Sequence, residues 1–330
     1  MNLYPLKFRP ILKSKIWGGQ KLKPYAKDAG NLTNIGESWE LSGLDGSVSV
    51  VTNGFLEGNE INDLIEVYMG DLVGDSVYEL FGNQLPLLFK IIDADQNLSI
   101  QVHPDDQTAM ERHNCAGKTE MWYVLEAAGD AHVIAGFAQQ ADMQTYVNAL
   151  EGGHVEQLLQ SVPVKRGDVL FVNSGLVHSI GKGVMLAEIQ QASDITYRIY
   201  DYKRVDEHGN MRELHIREAL DVIDFSANNQ PLISYEERNN GAVNLVACPY
   251  FTTNLIVFDR TIMRDYAPLD SFVVYMCVDG KAVITVDQQQ YNIDRYETVL
   301  IPAAVNDVTI TPVEGTARLL EVYMDHLDEI

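Results

Sequence analysis

The stretch Leu98-Ser-Ile-Gln-Val-His-Pro-Asp-Asp106 alternates apolar and polar residues. That alternation predicts a strand with Gln101 and His103 on one face and Ile100 and Val102 turned into packing on the other. An amide oxygen and an imidazole side by side on a strand offer two bonds to a metal ion, so further donors are expected on neighbouring strands. Glu120, in Gly117-Lys-Thr-Glu-Met-Trp-Tyr-Val124, and His178, in Asn173-Ser-Gly-Leu-Val-His-Ser-Ile180, are the candidates. Two neutral imidazoles, a carboxylate and an amide oxygen form a borderline donor set that suits one zinc ion per chain. Taken singly, each residue has a plainer explanation. Gln101 can be a satisfied core amide, His103 a turn residue before Pro104, Glu120 half of an ion pair with Lys118, and His178 a core histidine.

On the N-terminal side, Pro86-Leu-Leu-Phe-Lys-Ile-Ile-Asp93 reads as a buried strand in which Lys90 is the anomaly, because a buried ammonium needs a partner or a task. Residues 1–37 look loop-rich. Gly36 to Ser42 reads as a half-buried strand, with Trp39 and Leu41 on one face and Ser38, Glu40 and Ser42 on the other. Helical spacing through Ile61, Leu64, Ile65, Tyr68 and Leu72 predicts one or two short helices over residues 60–80. On the C-terminal side, Met143, Tyr146, Val147 and Leu150 mark a helical insertion at about 137–160 within a β domain. Strand patterning returns in Lys165 to Val172 after a turn at Gly167, then in two strands over 181–202, with a connecting helix over 213–223. Residues 226–240, rich in Asn, Gln and Ser, read as a linker. Beyond Leu245 nearly everything is strand and turn, and Asp279-Gly280 between two apolar runs is a hairpin signal. The class is mainly β, a barrel or jelly roll with helical insertions.

At 330 residues the chain has room for two or three domains, and 46% apolar with 22% charged residues describes an ordinary soluble protein. A net charge of −23 argues against nucleic acid and anionic membranes as partners. The basic residues nevertheless gather around the candidate metal ligands: Lys90, Lys118, Arg198, Lys203 and Arg204. A positive pocket inside an acidic shell can take a phosphate. No apolar run follows a basic start and no stretch approaches a membrane span, so neither a signal peptide nor a membrane partner is expected. Cys115, Cys248 and Cys277 are odd in number and far apart, which suits free thiols in the cytoplasm. Oligomeric state leaves no mark in the sequence.

Two segments echo each other. Arg166-Gly-Asp-Val-Leu-Phe-Val-Asn173 is similar to Arg295-Tyr-Glu-Thr-Val-Leu-Ile-Pro302 with one slipped residue. Glu120-Met-Trp-Tyr-Val-Leu125, followed by Gly129, is similar to Ser271-Phe-Val-Val-Tyr-Met276, followed by Gly280. Two copies of one β-barrel fit this pattern. The second copy has Ser271 where the first has Glu120, and Asp307 or Val308 where the first has His178. One metal site is therefore expected, in a first domain over residues 1–225. A metal-free second domain over 241–330 follows the linker.

Leu98-Ser-Ile-Gln-Val-His-Pro-Asp-Asp106, Gly117-Lys-Thr-Glu-Met-Trp-Tyr123, Gly175-Leu-Val-His-Ser-Ile180 and Ala187-Glu-Ile-Gln-Gln-Ala-Ser-Asp-Ile-Thr-Tyr-Arg198 together closely resemble type I mannose-6-phosphate isomerases of the short bacterial class, in the cupin superfamily. The resemblance runs from Trp17-Gly-Gly19 into the C-terminal strands. It implies a double barrel of two jelly-roll (cupin) domains and one zinc on Gln101, His103, Glu120 and His178. It also implies a pocket containing Trp17, Lys90, Lys118, Asp194 and Arg198. Longer members carry a His-Lys or similar pair before the glutamate, where this chain has Gly117-Lys118. They also carry an additional helical domain, for which this chain is too short.

The activity so implied is zinc-dependent aldose–ketose exchange between mannose 6-phosphate and fructose 6-phosphate through an enediol. Arg198 is the expected electrophile, because a guanidinium stays charged and forks across two oxygens. Lys118 and Asp194 compete as the base for the C2 proton, with Glu188 and a metal-bound water as further candidates; Lys118 is favoured as acid/base and Asp194 given an orienting role. Arg198 and Lys90, with Lys118 in reserve, are placed on the phosphate, and Trp17 is the best candidate for a substrate platform. Two other readings compete. An iron cupin dioxygenase would use His103, Glu120 and His178 as a facial triad; a fourth ligand and the clustered cations weigh against it. A non-enzymatic sugar-binding cupin would have no use for Lys118, Asp194 and Arg198.

Overall fold

Short β-branched and aliphatic runs punctuated by turns make strands the dominant element in the computed structural model, which describes residues 2–25, 29–206, 208–228 and 230–330. The chain begins with β1 (Leu6–Lys7), β2 (Ile11–Gly19) and β3 (Ile35–Leu41), then α1 (Ile61–Tyr68), α2 (Gly70–Val73) and α3 (Asp75–Phe81). It continues through β4 (Leu87–Asp93), β5 (Ile100–Val102), α4 (Asp106–His113), β6 (Glu120–Ala127), β7 (His132–Phe137) and α5 (Met143–Glu151). Next come β8 (Leu159–Pro163), β9 (Val169–Val172), β10 (His178–Ile180), β11 (Val184–Gln191), β12 (Tyr197–Tyr200), α6 (Ile216–Leu220) and β13 (Leu232–Ile233). The C-terminal strands are β14 (Gly241–Cys248), β15 (Phe251–Phe258), β16 (Ile262–Asp265), β17 (Val273–Asp279) and β18 (Ala282–Val286). β19 (Gln289–Ile293), β20 (Thr298–Ile301), β21 (Asp307–Pro312) and β22 (Ala317–Tyr323) complete the series.

Four local expectations are corrected. The loop-rich N-terminus contains a nine-residue strand, β2, on the edge of a sheet. β3 is buried along its whole length and not on one face only, because both of its faces are covered. The helical segment after residue 60 breaks into three pieces, since Met69 (φ 47°) and Gly74 (φ 98°) adopt left-handed backbone that a helix cannot pass through. Asp279-Gly280 does turn the chain, with Gly280 at φ 70°, but β17 and β18 do not pair. The turn carries the chain from one sheet to the other, as in a jelly roll.

Two compact units form, each from segments that are not adjacent in sequence. One comprises Leu12–Ser38 and Lys90–Ile233; the other comprises Met1–Ile11, Trp39–Phe89 and Ser234–Ile330. The break at Ile233 falls inside the polar 226–240 segment, whereas residues 39–89 group with the C-terminal strands. In the first unit the strand order is β12-β5-β10-β7-β8 in one sheet; the other runs β13-β9-β6-β11-β4-β3-β2, its last three strands crossing the unit's sequence boundary. Ile100 and Val102 are fully buried beside Phe137, Tyr146 and Tyr197, so the apolar face of β5 packs as its alternation requires. Each such aliphatic side chain contributes roughly 1.5–3 kcal/mol on burial.

The second unit repeats this order: β16-β21-β18-β19 in one sheet and β1-β20-β17-β22-β15-β14 in the other. Strand for strand, β16 to β22 stand where β5 to β11 stand, and β15 where β4 does. Register makes the comparison residue by residue. Gln101 pairs with His178 in the first unit, and Arg264 with Val308 in the second. Glu188 pairs with Trp122, and Glu321 with Tyr275. In the second unit Arg264 grips the fully buried Glu321 through Nε at 2.8 Å and a terminal nitrogen at 2.9 Å. A built-in guanidinium thus neutralises the buried carboxylate there.

Candidate metal centre

Period-two geometry brings the ligand candidates together. β5 carries Gln101 inward and delivers His103 just past its end; β6 begins at Glu120 and β10 at His178. His103 Nε2 and His178 Nε2 lie 3.1 Å apart, each 3.6 Å from an oxygen of Glu120. His103, Glu120 and His178 are fully buried. Among the described residues they form the one group of His, Cys, Asp or Glu side chains placed to hold a metal, with ligand atoms within 4.8 Å of one another.

The hydrogen bonds fix which atoms face the centre. His178 Nδ1 lies 2.8 Å from the Leu176 carbonyl oxygen and donates to it, which leaves Nε2 as the lone-pair atom. Lys118 Nζ, 3.1 Å from His103 Nε2, makes that nitrogen an acceptor too. Two lone pairs and a carboxylate thus converge in a fully buried site, an arrangement that a divalent cation satisfies. Gln101 Nε2 is 3.3 Å from His178 Nε2 while its oxygen accepts from Ser99 Oγ at 3.3 Å. Turning that amide over puts the carbonyl oxygen at the centre. The donor set fits zinc.

Both imidazoles are held neutral. Burial, reinforced by the charge of Lys118, brings the pKa of His178 down to about 4, and burial with Lys118, His178 and Lys90 holds that of His103 well below its ordinary value. The unfolded chain takes up protons at these positions near pH 6.5, which the folded chain resists. Metal-stripped protein is therefore expected to lose stability as the pH falls from about 6.5 towards about 4, read as a falling urea midpoint. A midpoint that is flat or rises across that window contradicts this.

Beside the centre lies a cavity of about 330 Å³ lined by Gln101, Lys90, Lys118, Arg198, Asp194, Glu188 and Trp17 of the expected residues, and by Lys15, Glu37 and Arg212 in addition. Lys90 is not free. Its Nζ donates to Glu188 Oε1 at 3.1 Å and Gln190 Oε1 at 2.6 Å. Burial opposes its charge, but Glu188, with Glu37, Asp194 and Glu120, outweighs burial and raises its pKa above the ordinary lysine value. Removing one partner of such a buried pair costs about 3–5 kcal/mol. Lys118 Nζ is 3.0 Å from Glu120 Oε2. Arg198 donates to the Glu213 carbonyl at 2.9 Å and has a buried Nε without a hydrogen-bond partner. Asp194 is exposed, whereas Trp17 is 3% exposed and packs with Ile92 and Trp122.

The clustering of cations near the ligands holds for Lys90, Lys118 and Arg198 and fails for Lys203 and Arg204. Lys203 is exposed, and Arg204 is bound to Asp201 and the Asn97 carbonyl. Their places are taken by Arg212 and by Lys15, which pairs with Glu37 at 3.1 Å. Nothing local in the sequence marks Lys15, because β2 itself has weak patterning; Glu37 lies on β3, a strand the sequence does show, but nothing local there says that it faces a cavity. Gln190 was legible in principle, since it alternates with Glu188 on β11.

The chain matches two family models: phosphomannose isomerase type I, catalytic domain, over residues 6–134, and mannose-6-phosphate isomerase, cupin domain, over residues 242–324. It is 33% identical to the mannose-6-phosphate isomerase ManA of Bacillus subtilis, over 97% of this chain and 99% of that one. It is 35% identical to the mannose-6-phosphate isomerase of Streptococcus mutans, over 98% and 99% respectively. The crystal structure of the mannose 6-phosphate isomerase from Bacillus subtilis superposes with a TM-score of 0.86 at 30% identity, covering 97% of this chain and 99% of that one.

Proposed function

The chain belongs to the type I phosphomannose isomerase family, and from that premise we propose that it interconverts mannose 6-phosphate and fructose 6-phosphate around one zinc ion. The observation that carries this reading is the convergence of His103, His178 and Glu120 beside a cavity walled by Lys118 and Arg198. In it, both Nε2 atoms, the Glu120 carboxylate and the Gln101 amide oxygen hold the metal. Zinc so held supplies Lewis-acid stabilisation of the negative charge that develops on the sugar oxygens.

The remaining work falls to this chain's side chains. Arg198, with its unpartnered Nε, takes the substrate's negative charge. With its proton given up and its nitrogen released from Glu120, Lys118 Nζ takes the proton from C2 and returns it to C1, while a hydroxyl proton passes from O2 to O1. The aldehyde thus becomes a ketone with no change in composition and no external redox partner. Asp194 orients the sugar and Trp17 supplies an apolar wall. Lys90, already engaged by Glu188 and Gln190, acts on the phosphate through its charge in the cavity wall. The strand order shared by the two units is read as two cupin barrels, the second metal-free. Cytoplasmic carbohydrate metabolism is the setting this reading implies, in keeping with three free cysteines. No helix among the described residues is long and apolar enough to cross a membrane.

Purified protein supplied with mannose 6-phosphate is expected to form fructose 6-phosphate in a coupled assay, with no oxygen uptake. Iron-dependent oxygen consumption without fructose 6-phosphate would instead support a cupin dioxygenase, and sugar binding without turnover a sensing protein.

A further inference from the structure

The buried Trp122 touches two of the four candidate ligands without being one itself. Trp122 is fully buried, and its indole nitrogen lies 3.0 Å from Glu120 Oε1 and 3.1 Å from Glu188 Oε2. An indole has one N–H and no acceptor, so the single donor is shared between two carboxylates. The same ring meets the His178 imidazole edge-on, with centroids 5.5 Å apart at 76°. The sequence dictates this placement. Trp122 is two residues from Glu120 on β6, hence on the same face, and lies directly opposite Glu188 on β11. Each carboxylate has a lysine on its other oxygen: Lys118 3.0 Å from Glu120 Oε2 and Lys90 3.1 Å from Glu188 Oε1. The result is one buried chain, Lys118–Glu120–Trp122–Glu188–Lys90, in which a neutral N–H separates two negative groups. In the second unit the residue in register with Trp122 is Tyr275, opposite Glu321, and the residue two before it, in the place of Glu120, is the apolar Val273 and not Ser271 as the sequence echo suggests.

We propose that Trp122 is a positioning residue for the metal centre. Its N–H fixes the plane of the Glu120 carboxylate, its ring fixes His178, and together they tie the metal's carboxylate to the Lys90–Glu188 pair in the cavity wall. This rests on the metal reading given above. Outer-shell partners of metal ligands typically govern affinity by about 10–100-fold. Trp122 does so through two ligands at once.

The test is the zinc dissociation constant of Trp122→Phe, measured by chelator competition on protein shown to be folded. The expected result is a rise of about 10–100-fold over wild type. A packing role alone would lower the melting temperature and leave the constant unchanged, and an unchanged constant overturns the proposal. Should Trp122→Phe fail to fold, benzothienylalanine at position 122 decides in its place, because it keeps the ring shape and loses only the N–H. An unchanged constant in that variant likewise overturns it. Wild-type protein that takes up no zinc overturns the metal reading itself, which separates that failure from a failure confined to Trp122.

Discussion

His103→Ala is expected to purify as a folded protein that neither retains zinc nor forms fructose 6-phosphate. His103 contributes one of two facing lone pairs at the centre, 3.1 Å from the other and 3.6 Å from Glu120. Without it the remaining donors no longer enclose a cation. The loss in affinity should exceed the roughly 10–100-fold attached to an outer-shell partner, since a direct bond disappears. The fold should survive: Lys118 gives up one neighbour but keeps Glu120 at 3.0 Å, and the apolar residues Ile100 and Val102 on the other face of β5 are untouched. Metal analysis with a thermal melt on the same sample checks both halves. A variant that keeps stoichiometric zinc, or turns over without it, contradicts the ligand assignment.

Arg198→Ala should behave in the opposite way, binding zinc normally while turnover falls by a factor of about 10² or more. Its guanidinium lines the cavity and donates to the Glu213 carbonyl; its link to the candidate ligands runs through the backbone, where it stands opposite Gln101 on β5, and alanine keeps that backbone. Burial, together with Arg212 and Arg204, lowers its pKa somewhat from the ordinary arginine value, yet a guanidinium remains charged across the working range. A guanidinium with a buried N–H awaiting an acceptor is preorganised for an oxyanion, and losing such a donor typically costs two to three decades in rate. Arg198→Lys should rescue little, because an ammonium cannot fork across two oxygens. Zinc loss from Arg198→Ala would overturn this division of labour.

The contrast between what was legible and what was not has a physical basis. Gln101 and His103 could be read because strand period places i and i+2 on one face, and Glu120 and His178 because they sit at the starts of patterned strands. Lys90 stood out because a charge inside an apolar run demands compensation. The identity of that compensation, Glu188 and Gln190, lies about a hundred residues away and depends on β4 lying beside β11. Lys15 is hidden for a similar reason, because β2 is an edge strand whose polar residues look like loop, and Glu37 because β3 is buried on both faces, so its alternation does not tell which side chain lines a cavity. Long-range hydrogen bonds, in which the Phe272, Ala303 and Ala304 N–H groups donate to the Val73, Leu72 and Asp71 carbonyls, help explain why residues 39–89 group with the C-terminal strands, and strand pairing explains why Asp279-Gly280 marks a turn without marking a hairpin. A turn signal says that the chain reverses, not which strand it will pair with.

Titrating zinc into metal-stripped protein, with bound zinc and fructose 6-phosphate formation followed on the same samples, addresses the centre most directly. The two quantities should rise together and level off at one zinc per chain, a single saturable site. Full turnover at zero bound metal, or a plateau in zinc binding reached without any turnover, would contradict it.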